Sequence, residues 1–434
     1  MINKTKHKGL LILALFFTVF LLTATLLGCS SSCGGDDGEN GYTPTHPRLE
    51  TPTLSLDIKE DTLSWNGVNS AVGYRLEFGD AFYEELEANI LYVNMGNLLT
   101  MRDIVHGFHA IRVIALGDNV SFSDSLPASV DYMVATQGLE FTPSVTRDGV
   151  ASFSVSRGEV SPTYTNIYVP HYYNDGQNTR PITSITMYGF AGTADAPSAL
   201  EEIFLPDSIE HIAHRAFLYT ALWDNPVGGI VYAGNWAVGT SDNSNVIELR
   251  NNTVGIADQA FMGANHSAIS SWGDSIRYIG AQAFIGANTL MLNTIPSTVI
   301  HIGNQAFFNT HFWLHPPVDA SGFIRVGNWI LGTRGNMPQR AYVPLGVVGI
   351  ASGAFHDAFS TPSLPVGQRG QMVISDTVLY FGHRAFNPYD AHILIDIFVP
   401  FATAQEIPAT WQRGWNTYRN VVSLVNGNAL SPIL

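Results

Sequence analysis

The chain has 434 residues, a formal net charge of -15 and only 13% charged side chains. That length exceeds one ordinary domain, and no Lys/Arg block stands outside the first eight residues, which excludes a nucleic-acid partner because phosphate binding needs clustered cations. Two cysteines, Cys29 and Cys33, cannot build a disulfide framework or a cysteine-rich zinc site.

Lys4, Lys6 and Lys8 precede an apolar run from Leu10 to Leu27, which ends in Leu26-Leu27-Gly28-Cys29. The run is long enough to cross a membrane as a plain helix. A small residue before a cysteine, followed by a polar stretch, is instead the pattern of a processed leader. The segment resembles a bacterial lipobox. The resemblance implies a signal peptide over 1–28 and a lipid on Cys29. It also implies an exported protein, lipid-anchored in the cell envelope, at the outer membrane or cell surface. Residues 29–48 are rich in Ser, Gly, Asp and Pro and read as a flexible tether. Asp36, Asp37 and Glu39 read as solvated linker residues, because their spacing gives no cage of oxygens for calcium. Cys33 is a spare thiol or a second acylation target.

Residues 49–134 alternate with the period of strands. Leu54, Leu56 and Ile58 do so, then Leu63 and Trp65, then Tyr74, Leu76 and Phe78, and later Ile111, Val113 and Ala115. Period-two patterning with turns every ten or so residues predicts a small β-sandwich. It resembles a fibronectin type III-like module, with Trp65 on the second strand, Val72–Leu76 the third, His109–Ala115 the sixth and Ser123–Ser129 the last. Gly79 to Arg102 departs from the pattern and leaves the strand count open. Trp65 and Tyr74 read as core residues.

From Thr136 onward a repeat dominates: an aliphatic lead residue, a small residue, two variable ones, then Ala-Phe. It reads Ile212-Ala213-His214-Arg215-Ala216-Phe217 and recurs with leads Ile256, Ile279, Ile302, Ile350 and Phe381, with a degenerate copy at Ile185–Phe190. Phe261, Phe284 and Phe307 are 23 residues apart. Three residues before the lead stand Ile209, Ile276, Val299, Val347 and Val378; six before stand Pro206, Pro296 and Pro344. One such unit cannot bury its apolar side alone. Stacked units can, with Ile above Ile and Phe above Phe. The small residue after the lead is expected to permit a tight turn against its neighbour. The line Leu200–Ile212, running on to Phe217, is similar to the BspA-like, or treponemal-type, leucine-rich repeat family. The expected fold is thus mainly β, a leucine-rich-repeat solenoid over 136–434 preceded by the sandwich.

Two repeats are longer and carry matching inserts, Gly234-Asn235-Trp236-Ala237-Val238-Gly239-Thr240 and Gly327-Asn328-Trp329-Ile330-Leu331-Gly332-Thr333, 93 residues apart. Trp236 and Trp329 are candidate ligand platforms, weighed against packing in a double-length repeat. Tyr168–Gly176 resembles the opening segment of such domains. At the far end Ile397-Phe398-Val399-Pro400, followed by Trp411, Trp415 and Tyr418, resembles their closing strand and short aromatic helix.

Chemistry is sparse. His211 and His214 lie three apart without a third ligand, and His301, His383 and His392 occur singly, so no metal site is expected. No His-Glu-x-x-His, Gly-x-Ser-x-Gly or phosphate-cradling loop occurs. Arg157-Gly158-Glu159 is a near miss for an integrin-binding tripeptide and carries no weight. The expectation is a binding protein rather than an enzyme, without a cofactor. The resemblance implies adhesion or protein recognition through the repeat face, toward an extracellular protein or host-surface ligand. A glycan-binding lipoprotein of a nutrient-uptake system and a structural envelope protein are the alternatives.

Overall fold

The structure, a computed structural model, describes residues 46–434 apart from 101, 242–244, 317–321, 335–336, 357, 359–368, 387–394, 413, 417–420, 424–428 and 431–434. The leader, the tether as far as Thr45, with Cys29 and Cys33, and His392 and Tyr418 lie outside the described residues. The fold is mainly β with few and short helices.

The first body, from His46 to Val134, holds seven strands: β1 (Leu54–Asp57), β2 (Thr62–Trp65), β3 (Gly73–Phe78), β4 (Phe82–Glu87), β5 (Tyr92–Asn94), β6 (Gly107–Leu116) and β7 (Ala128–Val134). They form two antiparallel sheets, of order β1-β2-β5 and β4-β3-β6-β7. Alternation drives the inward faces together: Leu63 and Trp65, Tyr74, Leu76 and Phe78, and Ile111, Val113 and Ala115 make one buried cluster. Trp65 and Tyr74 pack ring to ring at 5.6 Å, and the Tyr74 hydroxyl accepts the Val68 N–H at 2.8 Å. The stretch from Gly79 to Arg102 supplies β4, β5 and a short helix, Met95–Leu99, capped by the Asn94 side chain. The last strand runs Ala128–Val134 rather than Ser123–Ser129. Ser123 instead pairs with the incoming chain, where its N–H donates to Pro47 O and its carbonyl accepts from Leu49 N–H.

Thr136 joins this body to the next. Its N–H donates to Tyr168 O at 3.0 Å, and its hydroxyl accepts from Tyr168 N–H at 2.9 Å. Beyond it the lead residues of the repeat pair in parallel, register intact. Val155, Ile185 and Ile212 form one such row, Ala237, Ile256, Ile279 and Ile302 a second, and Ile330, Ile350, Phe381 and Trp411 a third. All are buried in one continuous core. Ala237 and Ile330, inside the two inserts, therefore occupy lead positions themselves. Each insert is the second strand of a hairpin, Ile230–Ala233 with Trp236–Thr240 and Phe323–Val326 with Trp329–Thr333, and the two hairpins share the same register shift.

The Ala-Phe turns stack as well. Phe261, Phe284 and Phe307 stack with nearly parallel rings at 5.2 and 5.1 Å, and Phe190 stacks on Phe217 at 5.7 Å. The small residue after the lead lies close against its neighbour, as expected, but is not itself the turn's left-handed residue. Gly280, Gly303 and Gly382 are not left-handed; a methyl group on any of them would strike the backbone of the preceding repeat. The left-handed residue comes two positions later, at Tyr188, Arg215, Gln259, Gln282, Gln305, Gly353 and Arg384, in every copy. The closing segment also differs from expectation. Trp411 and Trp415 lie in non-helical chain, where Pro408 and the left-handed Gly414 interrupt a helix, and pack against Phe381.

Candidate binding face

The repeats carry two strand surfaces: one holds the residues just before the leads, the other, where the strand is present, a row further upstream. The first surface is closed over its middle row, while His211 beside it keeps a partly exposed side chain. Trp236, Gly255, Tyr278 and His301 stand side by side in register on it. Trp236, Tyr278 and His301 are all buried. Trp236 and Tyr278 stack across Gly255 with ring centres 5.7 Å apart, and Trp329 and Tyr380 stack across Gly349 at 6.2 Å. The sequence-nominated pair Trp236 and Trp329 thus sits 3% and 1% exposed, each indole laid on a glycine, with no ring face open to a ligand from solvent.

Polar groups from both ends of the repeat region close over this surface. Arg147, at the tip of the hairpin Glu140–Val145 and Ala151–Ser156, donates from Nη2 to Glu210 O at 2.6 Å and lies 5.3 Å from the Tyr278 ring centre. Gln412 donates from Nε2 to His301 Nδ1 at 2.9 Å and accepts from His383 N–H at 2.7 Å. Burial, reinforced by the charge of Arg147 and by His211 and His383, holds His301 well below the ordinary histidine range, so it stays neutral. The other histidines are taken separately: His211 Nε2 meets Asp258 Oδ2 at 2.8 Å, whereas the His214 ring faces Tyr188. Among the described residues, no group of three or more His, Cys, Asp or Glu side chains could hold a metal ion.

The second surface is covered by Phe108 at Tyr168 and Phe204 and is open further along, where Tyr342 is exposed. Its strands pair in parallel as Asn166–Tyr168 with Glu202–Phe204, as Val246–Glu248 with Ala268–Ser271, and as Arg340–Tyr342, Gly370–Val373, Ile395–Phe398 and Val421–Ser423. Ile203, Ile247, Ala341, Met372 and Ile397 point inward and are buried. Their strand neighbours point outward, with a chemistry that changes from repeat to repeat.

Residues 228–314 match the BspA type leucine rich repeat region, in 6 copies. Three solved structures are similar at low identity. The pneumococcal vaccine antigen PcpA is 10% identical, with a TM-score of 0.21, over 63% of this chain and 95% of that one. A leucine-rich repeat protein from Bacteroides ovatus is 13% identical, with a TM-score of 0.20, over 68% of this chain and 77% of that one. A leucine rich cell surface protein from Faecalibacterium prausnitzii is 15% identical, with a TM-score of 0.22, over 67% of this chain and 94% of that one. No curated protein matches the chain.

Downstream of the matched residues, the second surface gathers the side chains best suited to hold a partner. Arg340 lies 5.7 Å from the Tyr342 ring centre and 5.1 Å from that of Phe398, two strands away. Tyr342 is 56% exposed, and Val373 stands between it and Phe398 in the same register row. Arg369 pairs with Asp396 beside them. Arginine and tyrosine on a rigid sheet are the residue types that dominate binding energy at protein interfaces. The sequence reading missed this group, although Arg340, Ala341 and Tyr342 alternate polar, apolar and aromatic at the strand position of the repeat.

Proposed function

We propose that this chain is a cell-surface binding protein, anchored by a lipid on Cys29, that recognises a protein partner through the open strand surface of its repeats. The observation that carries this reading is the contrast between the two strand surfaces. One is sealed by Arg147 and Gln412; the other presents Arg340, Tyr342 and Phe398 outward on paired parallel strands. An extended surface of this kind gives many modest contacts, and clustered copies on one membrane add avidity. The in-register rows support reading residues 136–434 as a leucine-rich-repeat solenoid. The three- and four-stranded sheets of the first body support reading 49–134 as a fibronectin type III-like spacer, with 29–48 as its tether and 1–28 as its leader.

The test is binding of the soluble chain from His46 onward, which keeps Leu49 in the core of the first body, to immobilised extracellular-matrix proteins and purified polysaccharides. The expected result is saturable binding to a matrix protein that disappears when only residues 46–135 are offered. Failure to bind any protein in the panel, or equal binding by 46–135 alone, would sink the proposal.

A further inference from the structure

A cleft of about 620 Å³ opens where the first body meets the repeats. One wall is the rim of the sandwich, with Asp61, Asn94, Phe108 and Asp131; the other is the hairpin that carries Tyr172, Asn174 and Thr179. The volume falls in the range of small-molecule sites, and junctions between bodies are where such sites concentrate.

The lining combines flat apolar rings with hydroxyl, amide and carboxylate groups. Phe108 is 58% exposed, yet it is held edge-on to Tyr168 and Phe204 at 5.7 and 5.4 Å, so a ligand would meet a ring already fixed in place. Tyr172 is half-buried at the edge of its sheet. Tyr132 donates its hydroxyl to Asp61 Oδ1 at 2.7 Å, which orients that carboxylate on the cleft wall. Cationic character is slight. Lys59 already pairs with Glu60 at 3.7 Å, and burial outweighs the pull of Asp207 to keep His171 below its ordinary range. The wall carries three carboxylates, of Glu60, Asp61 and Asp131, against the one ammonium group of Lys59.

We infer that this cleft binds a short neutral oligosaccharide. Ring faces suit the C–H faces of sugars, and carboxylates, amides and hydroxyls suit their hydroxyl groups. The excess of carboxylates turns away phosphorylated, sulfated or uronic-acid glycans, which would meet like charge. The cleft borders the end of the second strand surface at Tyr168 and Phe204 but includes none of Arg340, Tyr342 and Phe398, so either site can fail without the other.

The experiment is calorimetric titration of the full chain with cellohexaose, maltohexaose and mannohexaose, and with a heparin-derived hexasaccharide as the acidic probe. Saturable binding of at least one neutral hexaose, and none of the heparin fragment, is expected. Tyr172→Ala should weaken that binding about tenfold, the equivalent of one lost stacking contact. Tyr172→Phe should stay near the parent affinity, because it keeps the ring. Asp131→Asn should weaken binding while leaving the melting temperature unchanged. No neutral hexaose bound in the millimolar range, equal binding by Tyr172→Ala, or preference for the heparin fragment would each overturn the inference. Binding only of extended peptides would also overturn it, in favour of strand addition at Tyr172–Asn174.

Discussion

A methyl group on Gly255 would enter the indole of Trp236, and one on Gly349 would enter that of Trp329. Neither glycine has a left-handed backbone, so it is contact rather than conformation that selects them. Gly255→Ala should therefore destabilise the fold by about 1–3 kcal/mol, the usual range for overpacking a filled core. A denaturant midpoint equal to the parent's would show that the ring is free to move aside. His301 sets a second residue-scale constraint. Its proton affinity is depressed in the folded chain by burial first, then by Arg147, His211 and His383, so the unfolded chain binds the proton more readily. Stability is accordingly fully present above the unfolded histidine value near ~6.5 and falls as the pH drops below it, by at most about 1.4 kcal/mol per pH unit for this group. Melting from about pH 7.5 to about pH 5 should show a smaller decline in His301→Gln than in the parent chain. An identical decline would place the acid sensitivity elsewhere.

At the scale of the element, the repeat is a turn stapled to its neighbour. The N–H groups of Gln259 and Phe261 donate to the carbonyls of Ala281 and Ala283, and Gln282 and Phe284 repeat the pattern onto Asn304 and Ala306. These bonds, with the Phe stack, hold a non-glycine residue in the left-handed region, which otherwise costs about 1–2 kcal/mol. Gln259 Nε2 also donates to Gln282 Oε1 at 2.7 Å, and Gln282 Nε2 to Gln305 Oε1 at 3.1 Å, a side-chain ladder parallel to the rings. Phe284→Ala, in the middle of the stack, should cost about 3–5 kcal/mol. A loss below about 1 kcal/mol, read from chemical denaturation, would mean the rings stack without sharing a core. Ile and Ala-Phe were legible in the sequence because burial demands the same residue type in every copy. The left-handed position was not, because the stack and its hydrogen bonds tolerate Tyr, Arg, Gln or Gly there. Gln at one offset in Gln259, Gln282 and Gln305 was the available sign. The inserts read as padding for the same reason: Ala237 and Ile330 take lead positions without an Ala-Phe turn to announce them.

Across the whole molecule, contacts between distant segments decide which surface is free. Arg147 reaches the Tyr278 ring, and Gln412 reaches His301, from opposite ends of the repeat region. No periodicity encodes either contact, since each belongs to a segment outside the repeat pattern. That is why the sequence offered Trp236 and Trp329 only as candidates weighed against packing, and the fold buries both, while it passed over Arg340, Tyr342 and Phe398, which the fold displays. The rows of the repeat, by contrast, were readable from spacing alone, because stacking requires phase. The most direct test of the account is surface-plasmon measurement of the chain from His46 onward, against the matrix protein it binds best, beside the double variant Arg340→Ala with Tyr342→Ala. The expected result is a loss of affinity of about tenfold or more, the scale of an interface hot spot, with an unchanged melting temperature. Full affinity in the double variant would contradict it and place recognition away from the open strand surface.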